Sequence, residues 1–320
     1  MQASRLFFAC LAALLLAACE PIVLDPADPL ENTGPYAVRS SNAAFASATT
    51  SQLLRGSWYY PAGSHAPASL PLVVITHGFS LSYDDYSLYS RHLASHGFVV
   101  LGFDFVDTGS NSNDGRHNDK ARQLSEAIDH ALADGPLAAS INPAQIAAMG
   151  HSLGGKIAFL AAADDARIAA IVALDPSNAG GPPCFIAPDY CARYPAAPNP
   201  SRSQVGVLSR IQADSLIFRS RPDVTNPAEE FNARYFYYGD DGAGNNGVPA
   251  PAFYINLDDA AHASYAPLLP SVVPALVKRN SLAWLQQQFF AVDRSDYFTG
   301  SIMQRDINAG RVKGYASREL

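Results

Sequence analysis

This 320-residue sequence lacks strings of basic residues, long apolar runs and clusters of metal ligands. Charged residues make up only 16% of it, the formal net charge is −7, and Lys and Arg never form a run. That balance argues against nucleic acid as a partner and leaves no basic patch for anionic lipid. The apolar run from Leu6 to Ala18 is too short to span a bilayer. Cysteines number four, and only Cys184 and Cys191 lie close together, separated by a Pro-rich stretch with no His nearby. A metal would need two more ligands there. The Asn/Asp/Gly stretch 107–119 lacks the EF-hand spacing and reads as a loop, not a calcium site. No metal or organic cofactor is expected. What the chain does have is 48% hydrophobic residues, enough to fill one large α/β domain or two small ones.

The first residues, "MQASRLFFACLAALLLAAC", combine one positive charge, Arg5, with a short apolar core, as signal peptides do. Their end, Leu16-Ala17-Ala18-Cys19, resembles the bacterial lipobox. That resemblance implies removal of residues 1–18, diacylation of Cys19 and an exported protein anchored to a membrane by its N-terminal lipid. Glu20 in the next position implies onward sorting to the outer membrane. Cys10 leaves with the leader, and in an oxidising compartment Cys184 and Cys191 are expected to pair as a disulfide. Residues 19–50, rich in Pro, Ala, Ser and Thr, read as a tether that becomes ordered somewhere before residue 50.

From residue 51 to 320 a single domain is expected. Short apolar runs at 71–78, 97–104, 146–150, 168–175, 214–220 and 252–258 are near-continuous, as in strands buried on both faces. Helical spacing recurs between them at 82–96, 119–133, 152–164 and 280–290. This alternation predicts an α/β fold with a doubly wound, mostly parallel sheet. Residues 176–212 form an insertion between two strands, and no internal repeat is present.

Within "IAAMGHSLGGKIAF", residues 150–154 fit G-x-S-x-G. The motif lies directly between a strand pattern and a helix pattern. A tight turn there strains the serine and holds its hydroxyl at the sheet's C-terminal edge, beside a helix N-terminus that favours negative charge. Ser152 is therefore the candidate nucleophile. Of eight histidines only His262 follows it, in "INLDDAAHASY", which makes His262 the candidate base. Two aspartates end strands on the same edge, Asp175 in "IVALDPS" and Asp223 in "LIFRSRPD". Either would orient the imidazole and stabilise its protonated form. Asp258 and Asp259 are too near His262 in sequence to loop back. The oxyanion donors are expected to be the N–H groups of Leu153 and Phe79, with His77 propping the Phe79 loop. Tyr83 and Tyr86 are candidates either for the acyl site or for the core.

The stretches "VVITHGFS", "LASHGFVVLGFD", "ARQLSEAIDHAL", "MGHSLGGKIAF", "IVALDPS", "DAAHASY" and "SLAWLQQQF" resemble the α/β-hydrolase superfamily. The nearest branches are the cutinases and polyester hydrolases, the chlorophyllases and the platelet-activating-factor acetylhydrolases, over roughly residues 55 to 300. The resemblance implies a serine carboxylic ester hydrolase acting on a small or lipidic ester through an acyl-enzyme. Cutinase-like enzymes place the acid after the later strand, at Asp223; the other two branches place it at the earlier one, at Asp175. The Leu174-Asp175-Pro176 sequence departs from cutinases, which favours Asp175 and tells against a polyester substrate. A serine peptidase of the same fold and a non-catalytic binding lipoprotein are the rival readings.

Overall fold

The computed structural model describes residues 28–63, 69–107, 113–178, 205–223, 233–239, 246–249, 251–257, 259–268 and 271–318. The leader, Cys19, Cys184 and Cys191 lie outside these. The strands are β1 (Ala37–Ala46), β2 (Leu53–Ala62), β3 (Leu70–Thr76), β4 (Val99–Phe103), β5 (Ile141–His151), β6 (Ile168–Leu174), β7 (Asp214–Ser220), β8 (Ala252–Leu257) and β9 (Gly314–Arg318). They form one sheet in the order β1-β2-β4-β3-β5-β6-β7-β8-β9. Its middle, β4 to β8, is parallel, while β1, β2 and β9 pair antiparallel at the two edges.

Strand β3 shows why the sheet is wound on both faces. All seven of its residues are buried. Leu72 and Val74 point into one core cluster, and Val73 and Ile75 into the other, as the two-residue period of a strand requires. The first cluster is closed by α2 (Asn113–Asp134) and α3 (Leu153–Asp164) through Leu124, Ile128 and Ile157. The second is closed by α1 (Ser87–Ser95) and α5 (Val273–Phe290) through Leu93, Val277 and Trp284. Short α4 (Ala233–Tyr238) and α6 (Ser301–Asn308) complete the shell. None of these helices is long and apolar enough to cross a membrane.

From β3 the chain moves outward to β4, returns across β3 to β5, and then proceeds to β8 on the other side. The strand order reverses between β3 and β5, and the crevice beyond their C-terminal ends is where open α/β sheets bind ligands.

Three expectations need correction. Residues 37–46, within the expected tether, form strand β1; only Ala43 and Phe45 of it are buried, so its sequence carries little apolar signal. Helix α2 begins at Asn113, inside the stretch read as loop, because its first turns are polar. Helix α5 begins at Val273, seven residues before the expected start, with a proline in its first turn, where the missing N–H costs nothing.

Residues 28–36 are pinned to the helices. Tyr297 donates to Asp28 (3.0 Å), Arg279 to Glu31 (3.0 Å) and Lys278 to the Glu31 carbonyl (2.8 Å). Ser95 takes the N–H groups of Gly34 and Tyr36 on its hydroxyl and carbonyl, at 2.8 and 3.1 Å. Arg279, fully buried, also pairs with the buried Asp306, which Arg311 meets from the other side.

Candidate active site

Strand β5 ends at His151 and helix α3 starts at Leu153, leaving Ser152 alone in the turn. Its φ is +55°, a left-handed conformation that costs a non-glycine residue about 1–3 kcal/mol. The turn is this tight because Gly150 and Gly154 touch. A Cβ on Gly150 would collide with the Gly154 backbone and the Thr76 hydroxyl, and one on Gly154 with the Thr76 backbone. Ser152 is fixed on both sides, its N–H donating to Leu174 (3.0 Å) and its carbonyl accepting from Lys156 and Ser177 (both 3.1 Å).

His262 opens a one-turn 3-10 helix after β8. Its Nε2 lies 2.8 Å from Ser152 Oγ and its Nδ1 lies 2.5 Å from Asp175 Oδ2. Serine, imidazole and carboxylate therefore form one chain of hydrogen bonds, drawn from the ends of β5, β8 and β6. Asp175 is fully buried and also in a left-handed conformation, φ +43°. Two donors from Ser220 hold it: the N–H reaches Oδ1 at 2.9 Å and the hydroxyl reaches Oδ2 at 2.6 Å. Burial pushes the Asp175 carboxyl up, but the bond to and charge of His262, with the Ser220 donors, outweigh it and hold the group below its ordinary 3.8. The carboxylate is thus ionised beside the imidazole.

Asp223 is also present, in a different part. Its Oδ2 accepts the backbone N–H of His262 at 2.9 Å. Both candidate acids touch the same histidine, one at the ring and one at the main chain. Asp259 is exposed and lies 3.4 Å from Lys313, away from the ring.

The loop after β3 carries the other expected donor. His77 Nδ1 donates to the Gly78 carbonyl (2.8 Å), and its Nε2 accepts from Phe105 N–H (3.2 Å). The Phe79 N–H makes no hydrogen bond among the described residues, and that of Leu153, at the first position of α3, has no partner within the helix. Phe79 is 44% exposed. Tyr86 does not line the cleft: it is wholly buried and bonded to His151 (2.7 Å).

Ser220 and His151 escaped the sequence as members of the site. Ser220 ends β7 one strand over from Asp175, a placement visible only once register is known. His151 stood in view inside the motif, but nothing in its spacing says where the ring turns. Among the described residues no group of three or more His, Cys, Asp or Glu is placed to hold a metal.

Comparison with known proteins points to ester hydrolases. A family model described as PET hydrolase-like matches residues 25–181, a span that includes β1 to β6, Ser152 and Asp175. Cutinase 1 of Thermobifida cellulosilytica is 26% identical over 301 residues, covering 92% of this chain and 95% of that protein. A cutinase of Thermobifida fusca is 26% identical over the same length, covering 92% and 83%. The bis(hydroxyethyl) terephthalate hydrolase of Streptomyces coelicolor is 29% identical over 145 residues, 45% of this chain and 44% of that one. The chain is an α/β-hydrolase, and its activity is that of a carboxylic ester hydrolase. Within that class the similarity is to cutinases and to PET hydrolase-like proteins. Peptidase and binding-only readings fall away with that assignment.

Proposed function

We propose that Ser152 is the nucleophile of a two-step ester hydrolysis. The observation that carries this reading is the unbroken chain Ser152–His262–Asp175, at 2.8 and 2.5 Å. His262 Nε2 takes the hydroxyl proton as Oγ attacks the ester carbonyl, and returns it to the leaving alcohol. The N–H groups of Phe79 and Leu153 hold the oxyanion, and water activated by the same imidazole then releases the acid. Asp175 keeps Nδ1–H directed at itself, so that Nε2 faces the serine as the acceptor. The substrate is an ester with an apolar acyl part. Phe79 and Leu268, 44% and 56% exposed, lie on the loops that carry the oxyanion donor and the base, and the similarity to cutinases and to a bis(hydroxyethyl) terephthalate hydrolase supports such an ester.

The enzyme acts outside the cytoplasm, tethered by a lipid on Cys19 and with Cys184 paired to Cys191. The support for this is the leader and lipobox pattern, which lies outside the described residues.

Hydrolysis of p-nitrophenyl esters from acetate to palmitate, together with bis(hydroxyethyl) terephthalate, tests the reading. Ser152→Ala lowers kcat by at least about 10⁴ on every ester that the wild type cleaves. A Ser152→Ala enzyme that keeps more than a few per cent of activity would sink it.

A further inference from the structure

His151 and Tyr86 are polar, deeply buried and outside the proton path just described; their relative exposures are 2% and 0%. Three hydrogen bonds run through them. Gly78 N–H lies 3.2 Å from Tyr86 Oη, Tyr86 Oη 2.7 Å from His151 Nδ1, and His151 Nε2 3.0 Å from the carbonyl oxygen of His262.

The direction of each bond is forced. A carbonyl only accepts, so His151 carries its proton on Nε2 and donates to His262. A neutral imidazole then presents Nδ1 as an acceptor, so the Tyr86 hydroxyl donates to it. The Tyr86 oxygen is left to accept the N–H of Gly78. Every polar atom of the pair is used, at full burial, with one arrangement of protons.

The ends of this series are informative. Gly78 precedes Phe79, the expected oxyanion donor on the β3 loop. His262 is the base, on the β8 loop. These loops come from strands on opposite sides of the β5 turn. We infer that Tyr86 and His151 are positioning residues: together they form a bridge that sets the oxyanion loop and the His262 main chain at a fixed separation across Ser152. The inference rests on the catalytic reading above.

Neutrality is part of the device. Burial, and then the charge of neighbouring His262, lower the His151 pKa to about 3. Its ring centroid lies 4.7 Å from that of His262, where positive charge forms during catalysis. A charged His151 there would oppose the imidazolium. Instead, the neighbouring ring stays uncharged and turns its donor to the main chain. Asp223, accepting the His262 N–H, pins the peptide on the other side of the same Cα.

Neither residue reaches the substrate, so the bridge acts on kcat and leaves KM nearly unchanged. Tyr86→Phe keeps the ring and removes the hydroxyl. His151→Phe removes both nitrogens, and His151→Gln retains an acceptor and a donor. Pre-steady-state acylation by p-nitrophenyl butyrate is measured for each, with Tm and circular dichroism recorded on the same samples and Ser152→Ala as the reference for lost chemistry. Tyr86→Phe and His151→Phe each slow acylation about ten- to hundredfold in folded protein, the loss expected when reacting groups drift by a fraction of an ångström to 1 Å. The double variant is no slower than the worse single one, because either change breaks the same series. His151→Gln recovers at least half of the lost rate on a logarithmic scale. Acylation within twofold of wild type in Tyr86→Phe overturns the bridge, as do losses that add fully in the double variant. If His151→Phe fails to fold, Tyr86→Phe and His151→Gln decide the matter by the same limits. Should Ser152→Ala remain active, the catalytic reading itself fails; an inactive Ser152→Ala beside a fully active Tyr86→Phe overturns only the bridge.

Discussion

Asp175 and Asp223 carry the same signals in the sequence, each a carboxylate just past an apolar run on the catalytic edge. What separates them is which part of His262 they meet. Asp175 bonds the ring at 2.5 Å and Asp223 the main-chain N–H at 2.9 Å. Replacing Asp175 by Asn therefore removes the ion that fixes the tautomer, and kcat falls by about 10³–10⁴. Asp223→Asn keeps an oxygen for the His262 N–H and lowers kcat by less than about tenfold, because that hydrogen bond is weakened and not removed. Steady-state kinetics on p-nitrophenyl butyrate compare the two, and equal losses would reverse the assignment. Ser152 and His262 were legible because the motif fixes one and the chain order leaves a single histidine for the other. The acid was legible only as a preference for Asp175, since settling it requires a distance. Ser220 was less legible still: a serine at a strand end has no mark until the register of β6 against β7 sets it beside Asp175.

Strands β3 to β8 were readable as elements because both faces of their central residues are buried, so each contains a short apolar run. The edge strands were not. In β1 eight of ten positions are at least partly exposed, and β9 has no buried residue at all. Their place comes from pairing, β1 with all ten residues of β2 and β9 with β8. Helix α5 contains a second feature that composition hides, the buried Arg279 between Asp306 and Glu31. Its charge is tolerated only because carboxylates surround it. Asp306→Ala leaves Arg279 and Arg311 without their shared partner, and costs about 3–5 kcal/mol, as removal of one member of a buried ion pair does. Urea unfolding followed by circular dichroism measures it; a shift of less than about 1 kcal/mol would mean that the pair is balanced by its own desolvation. Hydrogen exchange in the same variant rises in residues 28–36, which lean on Arg279 and its neighbour Lys278.

Across the whole molecule, buried neutral histidines set the acid limit. His92 is lowered to about 3 by burial and by nearby His96 and Lys278, and His117 to about 2 by burial and then Lys156 and Lys120. With His151 at about 3, three groups have folded values well under the ordinary 6.5. Below pH 6.5 the unfolded chain binds more protons at these positions than the folded one, so stability is full above that value and is lost as pH falls toward 3. The melting temperature accordingly drops between pH 6.5 and pH 4.5, before most carboxylates titrate, and His117→Gln makes the drop shallower. A flat profile over that range, recorded by scanning calorimetry, would contradict this. The pinned segment 28–36 has a mechanical meaning as well. Tension on the chain ahead of Asp28 enters the molecule through its bond to Tyr297, the Glu31 contacts to Lys278 and Arg279, and the two Ser95 bonds, before it can reach β1. Helices thus take the load ahead of the sheet, and the turns that carry Ser152 and His262 are shielded from a tug at the front of the chain.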